Sequence, residues 1–391
     1  MRTRPRTLQA LLLAVPLTLA VAACSGGSNS AGPSKADAKI VNSDAAIVIG
    51  TTLSLTGSLG ALGRPLEAGY QQEIADVNAA GGVAIGGAKE KLKLVVLDNG
   101  SDPSTASSQA AELVQHDHAV ALLGSATPQI VLPTAVAAEQ LRVPLVTSQM
   151  PVEAFASGDK TGWTYSWDLF YDEQQQATDA AKALATMAGD KKVVLFTDNE
   201  PDSVVERPLY EAAFKAAGLQ VVGDYTFAVG TTDFSGFISK AKAAGAQLLA
   251  GQLAPADGAA LLRQLTSSGF RPKAAFLAGT SDAGYQPPSL GRLATGTLSA
   301  GYWIPAQASP GQLAIISPTL GKKYSGSPDY APAAVAYAVA EVLTDALATA
   351  GSTDPAKVNT AIAHTDARTT AGLVTFNQLT HTAITAYHVT R

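Results

Sequence analysis

The chain has 391 residues, of which 47% are hydrophobic and 15% charged, so it can bury large cores and is unlike a disordered chain. Its net charge of −5 argues against nucleic-acid binding, which needs clustered lysine and arginine. One cysteine excludes a disulfide framework and a cysteine-rich zinc site, and five scattered histidines offer little to a metal. We therefore expect about two domains without a metal or other cofactor.

The first 23 residues have the pattern of a secretion signal. Three arginines precede an apolar run, 11–20, that is too short to span a membrane. The following Val21-Ala22-Ala23-Cys24 resembles the bacterial lipobox, in which the cysteine becomes the first mature residue and carries a diacylglycerol. We expect a signal peptide over 1–23 and a flexible, small-residue tether over 24–44, with the lipid on Cys24 holding the protein at the outer face of the cell membrane. An ordinary signal peptide with an incidental cysteine is the alternative.

From Ala45 onward, short apolar runs alternate with amphipathic helical segments. The run Ala46–Gly50 is typical of a buried strand, and Leu66, Tyr70 and Ile74 have the spacing of a core-facing helical stripe. The predicted strands of this first series are 46–50, 92–97, 119–123 and 144–147, and its predicted helices are 62–78, 104–116 and 127–140.

The second half of the chain repeats this alternation. Strands that alternate with helices of this length indicate βαβ units and parallel sheets, so the sequence predicts an α/β fold of two doubly wound lobes. No segment after the signal peptide is expected to span a membrane. The predicted strands of the second series are 193–197, 221–227, 248–251 and 274–278, and its predicted helices are 173–188, 203–217, 234–244 and 256–268.

The loops that follow the predicted strands are rich in glycine, serine, threonine and glutamine. In open α/β sheets, ligands bind beyond the carboxyl ends of the strands. Hydroxyl groups and backbone N–H groups at helix N-termini can hold a carboxylate there. The loops concerned are 51–63, 98–105, 124–128, 147–151, 198–203, 251–255 and 279–284.

Motifs for catalysis are weak. The glycines of Gly57–Gly63 are spaced G-x-x-G-x-x-G, which is not the dinucleotide fingerprint, and the chain contains no P-loop motif. Gly279–Ala283 approaches the nucleophile elbow of serine hydrolases, but alanine replaces its last glycine. We expect no enzyme. A secreted hydrolase using Ser281 with a histidine such as His381 remains the alternative of another class.

Several short motifs occur in the order and spacing of one known family. Ile47–Gly57 matches that family's first strand and loop, and Asp76–Gly82 matches its D-x-N-A-x-G-G after the first helix. On these motifs the chain resembles the type I periplasmic binding proteins over residues 45–391, and within them the leucine/isoleucine/valine-binding family of ABC importers. Further motifs of the same series are Leu97–Asn99, Gly124–Thr127, Thr232–Phe234, Leu262–Gln264 and Gly301–Trp303.

The resemblance implies a Venus-flytrap, in which two doubly wound lobes are joined by three crossovers and close on a ligand. One lobe is expected to hold 45–165 plus 305–382, and the other 166–304 plus 383–391. The implied function is an extracytoplasmic solute-binding lipoprotein, a monomer that delivers a small molecule to an ABC permease in the membrane. A surface sensor of the same fold is the alternative.

The resemblance also implies which residues meet the ligand. The family holds an amino acid's carboxylate on two loops of the first lobe, and it presents a tyrosine where this chain has Asp202-Ser203. Because of such departures, the expected ligand is amino-acid-like, an amide, or an apolar or aromatic carboxylate. Asp282 is the candidate partner of a ligand ammonium, and aromatic residues near the hinge can stack on an aromatic solute. The expected contacts are Ser54, Thr56, Leu62, Ser125, Ala126, Thr127, Thr147, Ser148, Gln149, Trp167, Tyr171, Asp202, Gln252, Asp282 and Trp303.

Overall fold

The predicted strands form, and the hydrogen-bonded pairing adds short ones that the apolar pattern does not reveal. The structure is a computed structural model that describes residues 46–187, 191–278, 297–303, 310–324, 327, 329–385 and 388–390. Its strands are β1 (Ile47–Leu53), β2 (Val83–Ile85), β3 (Ala88–Glu90), β4 (Leu92–Asp98), β5 (Ala121–Leu123), β6 (Leu145–Thr147), β7 (Ser166–Phe170), β8 (Lys192–Thr197), β9 (Gln220–Thr226), β10 (Leu248–Gln252), β11 (Ala274–Ala278), β12 (Ser299–Gly301), β13 (Asp366–Thr369), β14 (Gly372–Thr375), β15 (Thr382–Ile384) and β16 (His388–Thr390).

Aspartate side chains cap the N-termini of three helices. Asp102 and Asp172 each accept a hydrogen bond from the backbone N–H three residues later, and Asp354 does the same two and three residues later. The helices are α1 (Gly60–Ala79), α2 (Pro103–Gln115), α3 (Pro128–Leu141), α4 (Val152–Ser157), α5 (Glu173–Ala185), α6 (Pro201–Ala216), α7 (Ser235–Ala243), α8 (Pro255–Ser267), α9 (Pro310–Ile316), α10 (Lys322–Tyr324), α11 (Tyr330–Ala350) and α12 (Pro355–Ala363), with a π-helical turn at Ser317–Gly321.

The larger sheet has the strand order β15-β7-β6-β5-β1-β4, with all neighbours parallel. Because β7 pairs with β6 and β15 pairs with β7, both strands belong to this first lobe. The first sheet thus extends to Phe170 and to Ile384, a few residues past the lobe boundaries at 165/166 and 382/383 that the sequence predicts. An apolar run shows that a strand exists, but it does not show which sheet the strand joins.

The second sheet has the order β11-β10-β8-β9 and is also parallel. The predicted second α/β series is thereby confirmed as a separate sheet with helices α5 to α8. Two further strands, β12 and β16, pair with each other antiparallel. The backbone N–H of Leu298 donates to the carbonyl oxygen of Ala275 at 2.7 Å, so β12 starts beside the edge strand β11.

Helix α11 forms the centre of the first lobe's core. It is apolar on nearly all sides, and sixteen of its residues are buried. In length and composition it could cross a membrane, contrary to the expectation that no later segment could, but 72% of its most apolar window is buried within the protein. We therefore read it as a core helix, since it packs against α1, α12 and the first sheet.

Gly69 allows α1 and α11 to approach closely. A Cβ at this position would lie 2.3 Å from the Ala333 carbonyl oxygen and 2.8 Å from the Ala336 Cβ. We expect Gly69→Ala to lower the free energy of unfolding by about 2 kcal/mol through overpacking. Urea unfolding measures this loss. Gly236→Ala on α7 is the control, because no atom lies within 4 Å of the added Cβ.

Candidate ligand-binding site

Two loops of the first lobe meet at the carboxyl edge of its sheet. The register pairs Leu123 with Val146, so the segments that follow β5 and β6 emerge side by side. The backbone N–H of Thr127 donates to the carbonyl oxygen of Gln149 at 3.2 Å, which joins the loops again at their tips. The sequence prediction that these two loops act together is consistent with this geometry.

Three hydroxyl groups on these loops, those of Ser125, Thr127 and Ser148, are buried at the edge of the sheet, and we call them the hydroxyl cradle. Within the described part of the chain, none of the three oxygens has a hydrogen-bond partner. Buried hydroxyls without partners are unfavourable by roughly 1–3 kcal/mol each and are rare in folded proteins. The cradle therefore has unused capacity to hydrogen-bond a ligand.

The backbone of the cradle is strained at two positions. Thr127 has φ 67° and Gln149 has φ 59°, both in the left-handed region that β-branched and long side chains rarely adopt. Such conformations persist only where the surroundings impose them, and they concentrate at ligand-binding loops. Sequence patterns contain no sign of this strain, because neither position carries glycine or asparagine.

The remaining predicted residues of these loops have structural contacts. The Thr147 hydroxyl donates to the Ser148 carbonyl oxygen at 3.2 Å. Ala126 is buried in the core of the first lobe. The Gln149 side chain accepts a hydrogen bond from the Tyr302 hydroxyl at 3.1 Å. Of the residues predicted on these loops, Ser125, Thr127 and Ser148 are thus the ones whose hydroxyl groups can still hydrogen-bond a ligand.

The sequence analysis missed a buried acid beneath the cradle. Asp168 lies in β7 at the register of Thr147, is fully buried, and neither of its carboxyl oxygens has a hydrogen-bond partner of good geometry among the described residues. Burial raises the pKa of this carboxyl well above its usual range. The sequence does contain one sign of this buried acid, because Asp168 interrupts the otherwise uncharged run Ser166–Phe170.

The first loop, after β1, is stabilised by hydrogen bonds to residues at the end of β4. The Ser54 hydroxyl donates to Asn99 Oδ1 at 2.8 Å, and the Thr56 hydroxyl donates to Asp98 Oδ2 at 2.7 Å. Leu62 is half-buried against the first lobe's core. The structure gives Ser54 and Thr56 intramolecular partners, so a ligand would compete with these bonds.

The predicted aromatic residues divide into two groups. Trp167 is buried in the first lobe's core, where its ring stacks on His381 with centroids 3.7 Å apart and its N–H donates to Asn359 Oδ1 at 2.7 Å. The structure thus places it in a packed core rather than at the loops. The imidazole of His381, a candidate of the hydrolase alternative, lies 3.1 Å from the Ser166 carbonyl oxygen, and Ser281 lies outside the described residues.

Tyr171, Phe170 and Tyr302 form an aromatic cluster where the chain passes between the lobes. Phe170 lies 4.5 Å from Tyr171 and 4.6 Å from Tyr302, measured between ring centroids. The Tyr171 hydroxyl donates to Glu206 Oε1 at 3.2 Å, which links the end of β7 to α6 in the second lobe. Glu206 is buried and was missed, because it looks like any acid on an amphipathic helix.

The second lobe presents polar groups at the ends of β8 and β10. Gln252 Oε1 and the Thr197 hydroxyl are buried and lack hydrogen-bond partners among the residues described. Asp198 accepts hydrogen bonds from the backbone N–H groups of Glu200 and Ala254, at 3.1 and 2.6 Å, and so fixes both loops. Because its side-chain oxygen lacks a partner among these residues, Gln252 stays a candidate ligand contact.

The two acids expected to face a ligand are not assigned contacts. Asp202 lies in the first turn of α6, and Asp282 lies outside the described residues. Over the described ranges, no group of three or more His, Cys, Asp or Glu side chains could hold a metal ion.

Relatives of known description share this sequence over most of its length. The chain is 27% identical over 308 residues to a Leu/Ile/Val-binding protein homologue from Brucella melitensis, a match that covers 79% of this chain and 80% of that protein. It is 26% identical to an amino acid binding protein from Pseudomonas aeruginosa over 57% of this chain, and the match spans only 58% of that relative.

Solved structures share the fold at lower sequence identity. One is a branched-chain amino acid transporter substrate binding protein from Streptococcus pneumoniae in complex with isoleucine, with a TM-score of 0.73 and 22% identity over 88% of this chain and 95% of that one. Another is a solute binding protein of an ABC transporter from Rhodopseudomonas palustris in complex with 3,4-dihydroxybenzoic acid, with a TM-score of 0.72 and 17% identity over 88% and 92%.

A sequence model of one family matches nearly the whole described region. It is described as Periplasmic binding protein, and it aligns with residues 46–391. The two parallel sheets agree with this assignment and with the resemblance inferred from the motifs. The chain therefore belongs to the periplasmic binding protein family.

Proposed function

We propose that this chain is an extracytoplasmic solute-binding lipoprotein that binds a small carboxylate between its lobes and passes it to an ABC permease. The observation that carries this proposal is the hydroxyl cradle, whose three buried oxygens have no protein partner within the described chain. The relatives described above are binding proteins, which supports binding rather than catalysis.

The chemistry of the cradle favours an oxyanion. Ser125, Thr127 and Ser148 are neutral donors that can hydrogen-bond a carboxylate without burying a compensating cation. Groups of the second lobe, including Gln252, would contact the same ligand only when the lobes are close together. A ligand that makes its full contacts in one arrangement of the lobes shifts the population toward that arrangement.

Two kinds of carboxylate deserve testing first. The solved relatives described above were crystallised with isoleucine and with 3,4-dihydroxybenzoic acid, which share a carboxylate and differ in the rest of the molecule. The buried Glu206 favours an amino acid, whose ammonium an acid can hold. The aromatic cluster around Tyr171 favours a benzoate, because stacked rings are attractive at these distances.

Isothermal titration with branched-chain amino acids, their amides and hydroxybenzoates tests the proposal. We expect one class to bind, and native mass spectrometry of the freshly purified protein to show a retained small molecule. Binding of no carboxylate, together with turnover of an ester, would contradict the proposal and favour the hydrolase alternative.

Removing a cradle hydroxyl is expected to weaken binding without unfolding the protein. For Ser125→Ala or Ser148→Ala we expect the dissociation constant of the tightest compound in that panel to rise about tenfold or more, because each variant removes a hydrogen bond to a charged group. Titration measures this change. Ser108→Ala is the matched control, since this serine is exposed on α2 and its hydroxyl donates to the Ser104 carbonyl oxygen.

The membrane anchor is tested separately. Replacing Cys24 by serine removes the only thiol of the chain. We expect this variant to move from the membrane fraction to the soluble fraction, and the wild-type N-terminal peptide to carry the mass of a diacylglycerol. A soluble, unmodified wild type would show that the signal is an ordinary one.

A further inference from the structure

We define the second crossing as Tyr302 and Trp303, which follow strand β12. Both residues come directly after β12 and are buried, with 4% and 5% of their surfaces exposed. Both belong to a buried apolar cluster that joins second-lobe residues such as Val193 and Phe276 to Phe170 and the start of α11. Movement of one lobe would therefore displace the second crossing relative to the other lobe.

Two hydrogen bonds hold the second crossing to the first lobe. The Tyr302 hydroxyl donates to Gln149 Oε1 at 3.1 Å, and the Trp303 N–H donates to the Thr370 carbonyl oxygen at 3.0 Å. Thr370 is itself fixed, because its backbone N–H donates to Glu341 Oε2 at 2.7 Å. The Tyr302 bond therefore connects the second crossing to the cradle loops, and the Trp303 bond connects it to the core of the first lobe.

Gln149 connects this crossing to the strained part of the cradle. Its side-chain oxygen accepts a hydrogen bond from the Tyr302 hydroxyl, and its backbone carbonyl oxygen accepts one from the Thr127 N–H. Both Gln149 and Thr127 have left-handed backbone conformations, which need support from their surroundings. A shift of Tyr302 would reach Thr127 through one residue and two hydrogen bonds.

We propose that Gln149 is a positioning residue that couples the second crossing, through Tyr302, to the conformation of the hydroxyl cradle at Thr127. When the lobes change their relative orientation, Tyr302 moves with the crossing, and Gln149 transmits this movement to the loop that donates to the ligand. This inference rests on the proposed function. It assigns Gln149 a role in regulating the site, in place of the direct ligand contact expected from the sequence.

Amide hydrogen exchange of the ligand-free protein tests the coupling. We expect Tyr302→Phe and Gln149→Ala each to raise the exchange rate of the Thr127 amide about fivefold, the change in a local opening equilibrium that one hydrogen bond produces. The double variant should exchange no faster than either single variant, because both remove the same interaction. Gln149→Glu should keep the wild-type rate, since its carboxyl group can still accept the Tyr302 hydroxyl.

Tyr171→Phe is the matched control. It removes another buried hydroxyl from the same aromatic cluster, but one that bonds to Glu206 on α6. We expect faster exchange in α6 and an unchanged rate at Thr127. An unchanged rate in Tyr302→Phe, or additive effects in the double variant, would overturn the coupling. Because no ligand is present, either failure leaves the titration test of the proposed function unaffected.

Discussion

Above pH 8, the variant Glu341→Gln is expected to be more stable than the wild type by about 3 kcal/mol. Glu341 on α11 is half-buried, and this partial burial, together with the charges of Glu73 and Asp345, raises its pKa to about 8. The N–H and hydroxyl groups of Thr370 act in the opposite direction. Burial likewise raises the pKa of Glu73 on α1 to about 7, despite its hydrogen bond from Thr344.

The variant is expected to be the more stable protein at high pH because the folded and unfolded states bind protons differently. An unfolded glutamate loses its proton near pH 4.5, whereas the folded protein keeps protons on Glu73 and Glu341 until about pH 7 and 8. The contribution of these two groups to the free energy of unfolding is therefore complete below pH 4.5, falls as the pH rises, and is lost above pH 8. Glutamine resembles the protonated acid and has no proton to lose. It should flatten the decline while its carbonyl oxygen still accepts the Thr370 N–H.

Urea unfolding at pH 5, 6, 7, 8 and 9 measures this difference. Asp168 keeps some pH dependence in the variant, because burial raises its pKa as well. Glu112→Gln, at an exposed position of α2, should reproduce the wild-type curve. Parallel curves for the wild type and Glu341→Gln would show that Glu341 is ionised throughout this range.

The alternation of apolar runs and amphipathic segments predicted all four strands of the second sheet and four of the six strands of the first, but not β7 or β15. Strands β1 and β8 are buried on both faces, and each is followed by a helix with a 3.6-residue period. The sequence did not reveal that β15 joins the first sheet beside β7. That pairing joins residues more than 200 positions apart, and three-residue strands have too few positions for a period.

The cradle was partly predictable, because a loop after a parallel strand is where ligands bind. Ser125 and Ser148 could be named from their types and positions. The roles of Trp167, Glu206 and Asp168 could not. Whether a tryptophan meets solvent or stacks on a histidine, and whether an acid faces water or a protein interior, depends on contacts between segments distant in the chain.

Replacing Gly124 by alanine is expected to disrupt ligand binding more than any loss of a single cradle hydroxyl. A Cβ at this position would lie 2.0 Å from the Thr147 hydroxyl oxygen and 2.3 Å from the Thr147 Cβ. Thr147 belongs to β6, so the contact can be relieved only by separating the two loops that carry the cradle. Tyr70 resists this separation, because its hydroxyl donates to the Gly124 carbonyl oxygen at 2.9 Å.

We expect Gly124→Ala to lower the free energy of unfolding by about 3 kcal/mol and to abolish measurable binding of the compound that the wild type binds most tightly. Thermal unfolding and titration measure the two effects. Adding Thr147→Gly removes the atoms that clash and should restore part of the binding, which distinguishes local crowding from global destabilisation. Gly236→Ala on α7, where an added Cβ meets no atom, should leave binding unchanged and should not lower the free energy of unfolding, because alanine favours the helix. Full binding by Gly124→Ala would show that the ligand does not bind at the hydroxyl cradle.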